Sequence, residues 1–547
     1  MVQSSLVVGV VSVFALASGA AAAQEHEHGA AAAEKLGTVH FATSCRAAAQ
    51  PSFDRAVALL HSFEFGRAIA GFDATLKADP SCTISYWGIA LSRWGNPFAV
   101  GAKPAAAQQQ GRAAIERAKA SPPKTDREKA YVDAASKLYA DFERTPQTPR
   151  VIAYRDAMAA LAARYPDDTE ASIFYALSLA FAADPSDKTY VNQKKAGAIL
   201  QSLFAKQPDH PGLAHYIIHS YDVPPLANYA LEAARRYAKI APSAPHALHM
   251  PSHTFTRVGY WQESIDTNIA AAAAAKREGS TGEELHASDY QTYAYLQTGQ
   301  DREALRVRES LPEIFGRFNA AAAGSAAPPS AAYFALAAIP ARYALERGDW
   351  KAAATLEPRQ SAFPYTEAMT YFARALGAAR LGDAATIRAS IDALLQSRDR
   401  LTQANETYWA EQVEIQRRGA AAWLALVEGR KQDALAEMRA TAEREDATEK
   451  SAVTPGPLAP ARELLGEMLL QMNEPAQALR EFATTLRKEP NRFRAVAGAA
   501  KAAAASGNRV AARTFSDQLL KICAKADTPG RPELQLARQS VTRSGAR

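Results

Sequence analysis

Cysteine is nearly missing from this 547-residue chain, which has only Cys45, Cys82 and Cys523. Three isolated thiols match no zinc-binding spacing, so they read as structural. In an oxidising compartment Cys45 and Cys82 could pair, leaving Cys523 alone. Runs of β-branched residues are scarce too. Alanine runs recur in nearly every segment and Gly and Pro are spaced rather than clustered, which predicts an all-α chain. The charges are interspersed and sum formally to only +6, with no basic block of the kind nucleic-acid binding needs. Nor is there a Gly-rich phosphate loop, a nucleophile elbow, an HExxH or a CxxCH haem-attachment motif. These absences speak against a conventional hydrolase or dinucleotide enzyme. They leave room for an unusual metalloenzyme.

Long apolar runs are missing as well, apart from Val7 to Ala23, so no membrane span is expected. That early stretch ends in Ala21, Ala22 and Ala23 and reads as a signal peptide over residues 1–23, although no Lys or Arg precedes it. The expectation is export, to a bacterial periplasm or beyond. Cleavage after Ala23 would expose Gln24, Glu25 and His26, and a histidine in third place can chelate Cu(II) or Ni(II). A disordered polar tail accounts for the same residues without metal.

What the chain does contain is helical periodicity arranged in pairs. Residues 24–36 read as a flexible linker, 37–120 as the first helix pairs and 121–207 as irregular ones. The central pairs occupy 208–310, further helical repeats 311–450, and the last pairs 451–547. The stretch from Phe53 to Pro80 has two apolar stripes, a break near Ser62 to Gly66 and a terminal Asp-Pro. The same layout returns from Ala461 to Pro490, and again in the pair that follows, with Gly507 at the turn and Ala512 behind it. Pro208 and Pro242 stand 34 residues apart. Gly259, Gly299 and Gly382 mark further turns. Composition breaks at residues 121–124, 184–189, 320–330 and 451–460 read as loops.

This layout of small residues, turn glycines and prolines resembles the tetratricopeptide repeat superfamily. The segments FATSC, HSFEF and SYWGIALSRWGNPF are similar to a group of secreted bacterial proteins of this type with unassigned activity. The resemblance implies a right-handed α-solenoid of helix-turn-helix repeats whose first helices line a concave groove. It also implies a protein or peptide partner, or a small molecule, in that groove.

Six of the eleven histidines fall between His215 and His286. On a helix, His215, His219 and Asp222 share one stripe, and His246, His249 and His253 share another. With the register set by prolines and glycines alone, both stripes, together with His286, Asp289 and Tyr293, fall on the expected groove face. Neutral imidazoles and carboxylates at this spacing supply the nitrogen and oxygen donors that Zn, Cu or Fe accept. Asp222, Asp289, Tyr221 and Tyr293 could orient the rings, and Pro251 should kink the helix beside them. The same residues also suit a metal-free polar groove that clamps a peptide. Enclosure separates the two readings. An enzyme should wall the cluster in with residues 125–205 and 312–347, whereas a scaffold should leave it open. Trp87 and Trp94 could form an aromatic wall of the groove or pack in the core. His61 and His210 read as packed, capping or turn residues. Glu283 and Glu284 read as acid–base candidates or as ordinary helix-start carboxylates.

Overall fold

The computed structural model describes Met1, residues 34–320 and residues 326–545. The expected signal segment, its cleavage point and His26 lie outside the described residues, Met1 apart. Every regular element among those residues is helical, and consecutive helices pack as antiparallel neighbours joined by short turns. The fold is an all-α array of consecutively packed helix pairs, as the repeat pattern predicts. The described residues from Lys35 onward form one compact unit.

Local chemistry sets the helix ends. Thr125 and Glu128 form a reciprocal capping box ahead of the Asp126–Leu138 helix. Asp383 and Asn508 each accept a backbone N–H of the helix they start. These contacts satisfy amide donors that the helix itself leaves unpaired. The turn glycines expected at 259, 299, 382 and 507 all adopt positive φ, where a Cβ is disfavoured. In the irregular stretch 121–207 Asp141 and Tyr190 take the left-handed position, and Phe63, Asn405, Asn473 and Asn491 take it elsewhere. Cys45 and Cys82 are disulfide-bonded and Cys523 is buried and free.

One large core runs from Leu36 to Ala326, and a second from Phe334 to Ala502. The array curls until its last repeats rest on its middle ones. A Cβ at Gly259 would come within 2.3 Å of the Pro490 carbonyl oxygen, so glycine permits both the turn and the close approach. Beside it, Trp261 donates its indole N–H to the Asn491 carbonyl at 2.8 Å, and Phe493 N donates to Gln297 at 2.8 Å. Arg492, fully buried, lies 2.7 Å from both Glu346 and Glu463 and 3.0 Å from the Tyr293 hydroxyl. What the repeat pattern predicts as a concave groove is therefore an interior.

Candidate metal centre

Three first helices of successive repeats carry the histidines. Pro211–Ser220 holds His215 and His219 on consecutive turns. The next helix is split into Pro245–His249 and Pro251–Arg257, because Pro251 has no N–H to continue the ladder. It carries His246, His249 and His253. Thr281–Gln297 supplies Glu283, His286 and Tyr290. All six histidines are buried, none more than 7% exposed.

They meet as two triads, His215–His219–His246 and His249–His253–His286, in each of which one ligand atom per residue lies within 4.8 Å of the others. The hydrogen bonds around the second triad fix its protonation. His249 Nδ1 faces Asn268 Oδ1 at 2.8 Å and His253 Nδ1 faces Asp222 Oδ2 at 3.1 Å. Both acceptors require the proton on Nδ1, so both Nε2 atoms present lone pairs. Those two Nε2 atoms are 3.1 Å apart. Two lone pairs at that distance repel unless a proton or a cation sits with them. In the first triad His215 Nδ1 donates to the His61 carbonyl at 2.6 Å, while His215 Nε2, His219 Nε2 and both His246 nitrogens are buried without a hydrogen bond. Glu283 Oε2 lies 3.5 Å from His246 Nδ1 and also has no hydrogen-bond partner. A ring held through one nitrogen by a carboxylate, amide or carbonyl, with its other nitrogen bare, is how metal-ligating histidines are oriented.

The electrostatics keep His215, His219, His249, His253 and His286 neutral. Burial, reinforced by the neighbouring imidazoles, holds His215, His219 and His249 well below the usual histidine range. Burial lowers His253 to about 4 and His286 to about 3. Burial would raise Asp222, but Lys450 and Arg257 beside it hold it well below the carboxylate range. Burial and the charge of Glu283 push Glu64 up to about 8. The neutral imidazole is the form that binds a metal. A third group, His61, Glu170 and His210, brings its atoms equally close. There, however, both rings donate to Glu170 at 2.9 Å, His61 Nδ1 pairs with the Tyr216 hydroxyl, and His210 Nδ1 accepts the Leu213 N–H. That set is a satisfied hydrogen-bond network and has no bare lone pairs to offer.

A cavity of about 30 Å³ touches His219, His246, His253 and His286. Residues from 96–100, 326–331 and 451–453 close it, with Tyr365 and Trp409. Of the two stretches expected to wall the cluster, 312–347 contributes and 125–205 does not line the cavity. The 447–460 connection contributes instead, through Ser451, Ala452 and Val453. The Tyr290 hydroxyl lies 3.1 Å from the carbonyls of both Ala452 and Thr454 and shares its one proton with them, and Lys450 lies 3.2 Å from Asp222.

The other residues singled out in the sequence sit as follows. Asp222 stands behind His253 and pairs with Arg257 and Lys450. Asp289 is turned away, paired with buried Arg342 at 2.9 Å. Tyr293 is flanked by Arg342 and Arg492. Tyr221 lies over Gly197 and donates to Gln201. Trp87 packs among Phe41, Tyr131 and Phe174, and Trp94 against Tyr139, both inside the core. Glu284 pairs with Arg317. Sequence reading passes over Asn268, Tyr290 and Lys450. It also passes over Phe63 and Phe98, whose rings lie 4.3 Å from His215 and 4.0 Å from His219. Tyr290, one turn after His286, is the one that the helical stripe could have pointed to.

Among the described residues no helix is long and apolar enough to cross a membrane. No protein-family model matches the chain, and no curated protein matches it in sequence. Solved structures do show similarity. The APC/C hetero-tetramer Cut9–Hcn1 matches at 12% identity over 90% of this chain and 89% of that one, with a TM-score of 0.34. A human IFIT1 dimer with m7Gppp-AAAA matches at 10% identity over 77% and 87%, with a TM-score of 0.33. The TPR domain of P58(IPK) matches at 13% identity over 70% and 100%, with a TM-score of 0.21. The chain's own helix pairing and turn geometry make it an all-helical repeat array curled around two buried histidine triads.

Proposed function

We propose that this chain is an exported helical-repeat metalloprotein whose enclosed histidine triads hold one or two transition-metal ions, Zn, Cu or Fe, next to a small-molecule site. The observation that carries this reading is the 3.1 Å separation of the His249 and His253 Nε2 atoms, each ring being committed by its Nδ1 to a fixed acceptor. Such a cluster is costly to bury for its own sake. Three neutral nitrogen donors with room beside them suit a catalytic rather than a purely structural ion, which would supply Lewis acidity. Enclosure supports an enzyme-like centre over an open scaffold. The Cys45–Cys82 disulfide supports an oxidising compartment, hence export.

A second reading draws on the surface groove of about 1480 Å³ near the C-terminal helices, lined in part by Arg494, Lys501, Arg513 and Leu536. There the chain would bind a protein or peptide partner without metal. Elemental analysis by mass spectrometry on untagged protein, beside the His215→Ala/His249→Ala double variant, decides between them. Near-stoichiometric metal that the double variant loses supports the metalloprotein. Metal at trace level only, after reconstitution with Zn, Cu and Fe, leaves partner binding alone.

A further inference from the structure

The two histidine triads adjoin one another. Inside the first, the His215 ring centroid stands 4.8 Å from that of His219 and 5.1 Å from that of His246. Inside the second, the rings are 4.4 to 6.3 Å apart. Between the triads, His219 lies 5.9 Å from His253 and His246 lies 6.1 Å from His249. The gap between the triads is therefore no wider than the widest gap inside the second. The cavity of about 30 Å³ touches two rings of each: His219 and His246 from the first, His253 and His286 from the second. Ions held by both triads would border that one space. His215 Nε2, His219 Nε2 and both His246 nitrogens are buried and bare. Burial from water does not close them to an ion, because zinc approaches an imidazole nitrogen to about 2.0–2.1 Å, well inside hydrogen-bonding distance.

Charge dictates what fills the space. Imidazole binds metal as the neutral ring, so it does not offset the positive charge of two divalent ions. Of the carboxylates beside the rings, Asp222 already faces Arg257 and Lys450, and Glu283 faces His246 Nδ1. Neither lines the cavity, and among the described residues no aspartate, glutamate, lysine or arginine does. Buried charge left unpaired is costly, which favours an anion in the cavity between the ions. A volume of about 10–15 Å³ suffices for one water, so this cavity limits the anion to roughly one or two non-hydrogen atoms. We propose that the six histidines form one dinuclear centre whose two ions share a small anionic bridge, hydroxide or a group of its size, in this cavity. Ions in two-metal sites stand about 3.5–4 Å apart, close enough for one such atom to touch both. The inference rests on the metal reading above and adds to it the pairing and the bridge.

The test is Cu(II) loading of the metal-stripped full chain carrying His26→Ala and His28→Ala, so that these tail histidines take up no copper. Desalting, copper analysis and a spin count by electron paramagnetic resonance follow. Two Cu(II) ions joined by a single-atom bridge couple their unpaired electrons and lose most of their signal, whereas isolated Cu(II) is counted in full. The expected result is about two coppers per chain, with a spin count far below the copper content. Fluoride, a single atom, should bind the pair and shift its visible absorption, and the bulkier acetate should not. His286→Ala should leave about one copper per chain, all of it counted as spin. Two coppers counted in full, saturation at one copper, no response to fluoride, an equal response to acetate, or a coupled pair surviving in folded His286→Ala protein would each overturn the proposal and leave metal binding standing. Failure to bind any copper would overturn it together with the reading it rests on.

Discussion

Replacing Asn268 with leucine isolates the role of the second triad's outer contacts. Asn268 is fully buried in the Trp261–Arg277 helix, accepts from His249 Nδ1 at 2.8 Å and donates to the Ser264 carbonyl at 2.7 Å. Leucine keeps the volume and suits a helix, so the backbone should hold. The His249 Nδ1–H then loses its acceptor at a cost of about 1–3 kcal/mol. That loss removes the preference holding the lone pair on Nε2. Outer contacts of this kind are worth roughly 10–100-fold in metal affinity, equivalent to about 1.4–2.8 kcal/mol. Competition against a chromophoric chelator at neutral pH reads the loss directly. The control is Glu170→Gln, which disturbs the satisfied His61–Glu170–His210 network and should leave metal stoichiometry unchanged. Wild-type affinity in a folded Asn268→Leu protein would refute the reasoning, as would a Glu170→Gln protein that sheds its metal.

Three further outcomes are expected. In metal-free protein, His253 and His286 titrate near about 4 and about 3 when folded, against an ordinary value of 6.5. The unfolded chain therefore binds more protons between those values. Stability should be full above about pH 6.5 and should fall by about 1.4 kcal/mol per pH unit for each of the two histidines below it; a flat urea-denaturation series from pH 7 to 4.5 would contradict this. Arg492→Met leaves Glu346 buried without its cation and Glu463 with only Arg494, 3.8 Å away, and should cost about 3–5 kcal/mol, read as a lower denaturant midpoint; an unchanged midpoint would show that the closure does not depend on this residue. Cys45→Ser removes a cross-link spanning 37 residues and should cost about 4 kcal/mol on the chain-entropy account, with reducing agent reproducing the effect in the parent protein but not in the variant.

Much of this architecture is legible in the sequence because the repeats advertise their turns. Gly259, Gly299, Gly382 and Gly507 mark left-handed corners, and from them the register places His215, His219, His246, His249, His253 and His286 on one inner face. Where Tyr190 or Asp141 takes that corner instead, the signal disappears, and the intervening pairs read as irregular. Asp222 follows the end of its helix at Ser220, so it leaves the stripe and reaches His253 from behind. Asp289 keeps its stripe but finds Arg342, more than fifty positions away in the chain. Asn268 and Lys450 enter from a second helix and a distant connection, and no local spacing announces such contacts. Trp87 and Trp94 share a helical stripe, yet their helix is buried on nearly every side, so periodicity could not tell groove from core.

The path of the 447–460 connection bears on exchange kinetics. An ion held by His219, His246, His253 and His286 would sit beside Ser451, Ala452 and Val453. Release past that connection would require Tyr290 to part from Ala452 and Thr454 and Lys450 to leave Asp222. The off-rate would then be set by that opening, and the demetallation rate would level off as chelator is raised. Loading faces the same barrier in reverse. The ion would enter most readily before Asn491 and Arg492 reach Trp261 and Tyr293 during folding.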